Sequence, residues 1–301
     1  HRRRQETFRI TVMSIQCLHI NSTAPFRARN HGKEYFLEDF DVLCTILSAL
    51  MWRRHNGTIK LYTDSVGYEY YRKLGMLELW DGGIDTETLE RIPAAIDQNI
   101  FWAAAKLYAI RAEKGPCVMI DTDLIVWDNI IPQLEKVEVA CLHREGLIDC
   151  YPPLEELMKA DGYVPDKDWD WTIDPCNTAL AYFKDSQFIE YYTDRAEKFM
   201  EGNNAPSEDN ISRMVFAEQR ILGMCAGARN ITIHSFLDNP FQDDNQTFTH
   251  LWGGKDVARK DTEQGEDLCR ALASKIRREF PEFKSESAEL NALLDRYKDN
   301  S

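Results

Sequence analysis

Asp121 and Asp123 stand one residue apart at the end of a short apolar run, Cys117-Val118-Met119-Ile120. In extended chain, residues i and i+2 point to the same side, so both carboxylates can address one point. Like charges side by side raise each other's pKa. A shared divalent cation removes that cost, and oxygen donors suit Mg2+ or Mn2+. The pair therefore reads as two metal ligands at a strand end. Glu218-Gln219 is a second candidate, a carboxylate–amide pair inside the otherwise apolar run 215–224. It could orient a polar substrate through hydrogen bonds, and Glu218 is the candidate catalytic base or nucleophile.

These residues need elements to hold them. Residues 11–19 read as a first strand. Residues 34–55 read as a long amphipathic helix, with Phe36, Phe40, Leu43, Leu47 and Leu50 at helical spacing and Asn56-Gly57 as its stop. A second strand at 59–62 leads to Asp64, which could contact a bound ligand or cofactor, as could residues 21–23. A helix at 68–74 stops at Gly75. Asp97 can cap a helix that runs to about Glu113, before Gly115-Pro116. Phe101, Ala105, Tyr108 and Ala112 form its buried stripe, with Lys106 at the flank. The unbroken run 117–120 suits a parallel strand buried on both faces. Strands follow at 137–142, 178–183 and 231–234, and helices at 187–200 and 210–225. Residues 151–174, rich in Pro, Asp and Trp, read as an irregular insertion. A loop is expected to about Lys260, then a charged helical tail over 263–298, broken at Pro281.

Strands alternating with helices predict an α/β fold, a mostly parallel central sheet flanked by helices. Ligands bind such sheets at the carboxyl ends of the strands, where Asp64, Asp121 and Asp123 fall. Three segments follow: residues 1–12 as upstream sequence or a vector-derived leader, 13–260 as the catalytic domain, and 261–301 as a C-terminal helical extension.

Composition narrows the partners. A net charge of -14 disfavours nucleic acid and loose binding to an anionic membrane. A metal with one or two lysines can still make a local site for phosphate. No apolar run approaches the ~18 residues that a membrane helix needs. The 8 cysteines contain no C-x-x-C pair, and Cys17, Cys117 and Cys141 sit in strand-like runs, so they read as buried free thiols. That suggests a reducing, cytoplasmic setting, including the inner face of a membrane. Sequons at Asn21, Asn56, Asn210, Asn230 and Asn245 are the one feature pointing to a lumen; without a signal peptide they read as coincidence. The oligomeric state is open at this stage.

Asp121-Thr122-Asp123 after an apolar strand resembles the D-x-D motif of glycosyltransferases with the GT-A fold. The unit Phe101-Trp102-Ala103-Ala104-Ala105-Lys106-Leu107-Tyr108, followed by Met119-Ile120-Asp121-Thr122-Asp123-Leu124-Ile125-Val126-Trp127, resembles a group of bacterial proteins classed as glycosyltransferases of unassigned substrate. It is similar, more distantly, to family-8 and capsular-polysaccharide enzymes, over residues 11–256. The resemblance implies that Asp121 and Asp123 bind Mn2+ or Mg2+ bridging a sugar-nucleotide diphosphate. Thr249-His250-Leu251-Trp252-Gly253-Gly254-Lys255 resembles the His-x-x-Gly-x-x-Lys segment that closes the family-8 site. It implies His250 as a third metal ligand and Gly253 and Lys255 beside the diphosphate, although Lys255 falls one residue early. Imidazole suits Mn2+ better than Mg2+. The resemblance also places Lys106 against the donor sugar or the first Asp. Cys176-Asn177-Thr178-Ala179 resembles the Asn-x-Gly segment lining the donor-sugar pocket, with Ala179 in place of the glycine. Trp169, Trp171 and Trp252 could stack on sugar rings or pack in the core.

The expected function is transfer of a hexose, with retention if family-8-like, from a nucleotide-diphospho-sugar to a hydroxyl of a glycan or other acceptor; a UDP-sugar is favoured over a GDP-sugar. Two alternatives remain at this stage. A haloacid-dehalogenase-type phosphatase would use Asp121 as nucleophile and Asp123 as acid/base, with Asp243-Asp244 as a later acidic pair. At least two strand–helix units precede Asp121, however, and no Gly-Thr follows Asp123. A non-catalytic carbohydrate-binding protein would explain the tryptophans but not the acidic strand end.

Overall fold

A computed structural model describes residues 14–239, 241 and 244–298. Its strands are β1 (Gln16–Asn21), β2 (Ile59–Thr63), β3 (Ile84–Asp85), β4 (Cys117–Ile120), β5 (Leu124–Val126), β6 (Val139–Cys141), β7 (Leu180–Phe183), β8 (Ile233–Ser235) and β9 (Phe248–His250). Its helices are α1 (Ala24–Arg29), α2 (Asp39–His55), α3 (Ser65–Lys73), α4 (Ala104–Glu113), α5 (Ile131–Leu134), α6 (Ser186–Met200), α7 (Ile211–Val215), α8 (Ile221–Ala228), α9 (Trp252–Lys260), α10 (Thr262–Glu279) and α11 (Ala288–Arg296). A π-helical turn, Phe216–Arg220, joins α7 to α8. No helix of the described residues is long and apolar enough to cross a membrane.

The main sheet has the order β3-β2-β1-β4-β7-β6-β8. Every neighbouring pair is parallel except the two made by β7, which runs against β4 and β6. The sheet is thus mostly parallel, with β7 reversed because the long excursion after β6 brings the chain back to the edge it left. Along β4 the side chains alternate between two cores. Val118 and Ile120 pack with α2 and α10, while Cys117 and Met119 pack with α4, α6 and α8. This two-sided burial is why β4 reads as an unbroken apolar run. Strand order reverses between β1 and β4, the place where open α/β sheets form a ligand crevice.

Helix α2 begins at Asp39, not at residue 34, and Phe36 is 48% exposed on the segment before it. From Val42 to Trp52 every residue is buried, because the sheet covers one side and α10 the other. The helix is therefore buried all round rather than amphipathic. Cys269, Leu272, Ala273 and Ile276 of α10, and Leu290 and Leu294 of α11, belong to this core. Each large apolar side chain so buried contributes about 1.5–3 kcal/mol.

Other expectations shift. Helix α4 starts at Ala104 instead of near Asp97, whose carboxylate and carbonyl hold the turns at Asn99, Ile100 and Phe101. Ala112 is exposed, and Ala104, Leu107 and Ile110 are buried in its place. The stretch expected as a loop to Lys260 contains β9 and α9. Residues 11–13 of the expected first strand lie outside the described residues. All 8 cysteines are free thiols, and all but Cys150 are buried.

Candidate functional site

Strand β4 ends at Ile120, so Asp121 and Asp123 lie in a turn rather than in extended chain. Asp121 N–H donates to the carbonyl of Ala179 at 2.8 Å, and Leu124 N–H donates to the carbonyl of Asp121 at 2.9 Å. The turn delivers the chain into β5, which pairs antiparallel with β9 so that Leu124 faces His250. The N–H of Leu251 then donates to the carbonyl of Asp123 at 3.1 Å. This ribbon brings an imidazole from 127 positions away in sequence to the dyad. One donor atom each from Asp121, Asp123 and His250 lies within 4.8 Å of the others, and His250 Nε2 is 3.7 Å from Asp123 Oδ1. A cation with bonds of about 2.1 Å reaches opposed donors about 4.2 Å apart, so small closure suffices. Two carboxylates and an imidazole form a donor set that could hold a metal ion such as Mn2+ or Mg2+.

Each of the two aspartates also carries a lysine. Lys106 Nζ lies 2.6 Å from Asp121 Oδ1 and 2.8 Å from Glu218 Oε1. Lys255 Nζ lies 3.0 Å from Asp123 Oδ2 and 2.8 Å from Asp41 Oδ1. Burial acts to lower the pKa of both lysines, but Asp121 and Glu218 raise Lys106, and Asp123 and Asp41 raise Lys255, above the usual lysine range. Burial likewise acts to raise Asp123, yet the hydrogen bond from His250 and the charge of Lys255 hold it well below the usual carboxylate range. Lys106 thus points into the site instead of lying along the helix surface.

Glu218 is buried in the π-helical turn, a feature frequent at functional sites. Its Oε1 also accepts from Thr178 Oγ1 at 2.6 Å. Tyr192 OH donates to its backbone carbonyl at 2.5 Å. Gln219 Oε1 accepts from Tyr151 OH at 2.5 Å. Asn177 donates to Glu145 Oε1 at 2.9 Å and accepts from Ala179 N–H at 3.1 Å, a turn-forming arrangement one residue before the Thr178 that meets Glu218.

A cleft of about 390 Å³ lies where β1 and β4 end; its lining includes Asn21, Ser22, Trp102, Lys106, Asp121 and Glu218. Asp64 stands apart from the Asp-Asp-His group: its carboxylate accepts from Thr23 N–H and Oγ1 and caps α3 through Gly67 N–H. Gly253 falls in the first turn of α9. Trp169 and Trp171 pack against Phe216, Trp171 stacked at 5.7 Å. Asp243 lies outside the described residues. The Asn56 amide donates to the Asp128 carbonyl and accepts from Ile130 N–H, so that sequon is consumed by the fold. Sequence reasoning missed Asp41, whose only signal was an acid in the first turn of α2.

Fold and site together define an α/β protein whose mostly parallel sheet carries an Asp-Asp-His group at its carboxyl edge. The chain belongs to a family of unknown function, DUF6734, whose model matches residues 14–289. No curated protein matches it. Among solved structures it is similar to mouse xyloside xylosyltransferase 1 in its apo form (11% identity, TM-score 0.36, covering 78% of this chain and 91% of that one). It is also similar to the bifunctional glycosyltransferase WbbM (10%, TM-score 0.39, 76% and 47%). A third is the glycosyltransferase GlyE of Streptococcus pneumoniae TIGR4 (14%, TM-score 0.33, 68% and 44%). The chain spans less than half the length of the last two. With TM-scores below 0.5, these likenesses assign no activity to it.

Proposed function

We propose that this protein is a GT-A-like, metal-dependent glycosyltransferase that moves a hexose from a nucleotide-diphospho-sugar, a UDP-sugar in first place, to a hydroxyl acceptor. The observation that carries the reading is the Asp121-Asp123-His250 group beside a cleft that also contains Lys106 and Glu218. Around that point the carboxylates of Asp41, Asp121, Asp123 and Glu218 face the cations Lys106, Lys255 and Arg259. Arg29 lines the cleft as well, so the four cations only balance the four carboxylates and offer a diphosphate no net positive charge. A divalent cation supplies it. Nucleotide binding should therefore require the metal.

In this reading Asp121, Asp123 and His250 hold Mn2+ or Mg2+, which supplies Lewis-acid stabilisation of the departing diphosphate. Lys106 fixes Asp121 and Glu218 against each other. The Lys106 and Thr178 bonds both fall on Glu218 Oε1, leaving Oε2 to meet the sugar or the acceptor hydroxyl. Most of the acceleration would come from positioning and from stabilising charge on the leaving group.

Thermal unfolding with UDP, GDP and ADP, each with and without Mn2+, tests this beside Asp123→Ala. Stabilisation by UDP that needs Mn2+ and vanishes in the variant is expected, about 2.7 kcal/mol at a hundredfold excess over Kd. No nucleotide effect under any condition would refute it. Phosphate release from a generic phosphoester would then favour the phosphatase reading, and metal-independent stabilisation by oligosaccharides the binding-protein reading.

A further inference from the structure

We infer that Lys255, anchored by Asp41, is a built-in counter-ion of Asp123 that competes with the metal and so sets its affinity, rather than a ligand of the diphosphate. This deepens the metal-site reading and rests on it. The two oxygens of Asp123 are divided: Oδ1 faces His250 Nε2 at 3.7 Å and Oδ2 faces the Lys255 ammonium at 3.0 Å. Lys255 is largely buried, and its second partner, Asp41 Oδ1, is closer still at 2.8 Å. Asp41 belongs to the first turn of α2, where Arg259 meets its other oxygen at 3.3 Å. Lys255 is therefore tied to two carboxylates on separate elements, and its reach toward a phosphate is spent. A divalent cation on Asp123 sits within a few ångströms of that ammonium, and the two repel. Asp41 moderates the repulsion by drawing the ammonium toward α2.

This arrangement makes two neighbouring substitutions act in opposite directions. Lys255→Met removes the competing charge and should tighten Mn2+ binding about tenfold or more. Asp41→Asn leaves Lys255 leaning on Asp123 alone and should weaken Mn2+ binding by a similar factor. If Lys255 merely oriented Asp123, both substitutions would weaken it. The experiment is calorimetric titration of MnCl2, without nucleotide, into the wild-type chain, Lys255→Met, Asp41→Asn and Asp123→Asn, each checked for folding by circular dichroism. Opposite signs in the two variants, with binding abolished in Asp123→Asn, support the inference. Should Lys255→Met fail to fold, Lys255→Gln takes its place: tighter Mn2+ binding supports the inference, and unchanged or weaker binding overturns it. Weaker binding in both variants, with Asp123→Asn still abolishing it, overturns the counter-ion role and leaves the metal site standing. Mn2+ binding that Asp123→Asn does not change, or none in any protein, overturns the metal site itself.

Discussion

Replacing Lys106 by Met should expose how much of this fold depends on charge balance at its site. The side chain keeps 19% of its surface exposed, while its partner Glu218 keeps 3% and Asp121 27%. Removing one member of a buried pair costs about 3–5 kcal/mol, because the remaining charge is left without compensation. Partial exposure on the Asp121 side puts the expected loss at the lower end, about 3 kcal/mol. Two further measurements separate charge from packing. Lys106→Met/Glu218→Gln removes one of the two stranded carboxylates and should recover about 1 kcal/mol or more, a coupling usual for residues in contact. Mn2+ should also rescue Lys106→Met more than the wild type, since the metal supplies positive charge beside Asp121. Urea denaturation in EDTA and in MnCl2 reads all three. A Lys106→Met chain within about 0.5 kcal/mol of wild type in EDTA would refute the reasoning, because the ammonium would then be dispensable to the carboxylates it touches.

Three other changes have defined outcomes. Burial pushes the His19 imidazole down from 6.5 to about 3, so the unfolded chain takes the proton first as pH falls. Stability present above 6.5 should be lost toward pH 3, at up to about 1.4 kcal/mol per pH unit, and His19→Gln should flatten that slope in urea titrations across pH. Arg220 donates to the carbonyls of Tyr151, Pro152 and Trp171 from its fork. Arg220→Lys loses that planar geometry and should speed limited proteolysis within residues 151–174. A methyl group on Gly67 would lie 2.1 Å from Thr63 Oγ1, so Gly67→Ala should cost about 1–3 kcal/mol, read as a lowered thermal midpoint.

Which parts of this were legible in sequence follows from the range of the forces involved. The core strand β4 announces itself because burial on both faces leaves no polar residue in it, and Asp121-Thr122-Asp123 at its end is conspicuous for the same reason. The ribbon of β5 and β9 is different. Each strand has three residues, too few for a period, and Gly253-Gly254 hides a helix that tertiary contacts sustain despite glycine's low propensity. Spacing alone leaves Lys106 at the helix flank, since nothing local reveals two carboxylates from β4 and the π-helical turn, and the resemblance is what places it beside the first Asp. Helix α2 looked amphipathic because a single sequence does not show that α10 will cover its outer side.

The reversal of β7 ties these pieces together. In a wholly parallel sheet, residues preceding a strand lie at the edge opposite to those following its neighbours. Because β7 runs backwards, with Ile120 facing Leu180, Asn177 and Thr178 arrive at the same edge as Asp121. Thr178 then fixes Glu218 from one side while Lys106 fixes it from another. Three successive polar residues of the π-helical turn are engaged by different partners: Glu218 by Lys106 and Thr178, Gln219 by Tyr151, and Arg220 by the carbonyls of the irregular segment. A regular α-helix turns about 100° per residue and would direct such neighbours to fixed, widely separated faces. The wider π turn redistributes them. One short stretch of chain thereby holds both the carboxylate at the cleft and the insertion beside it.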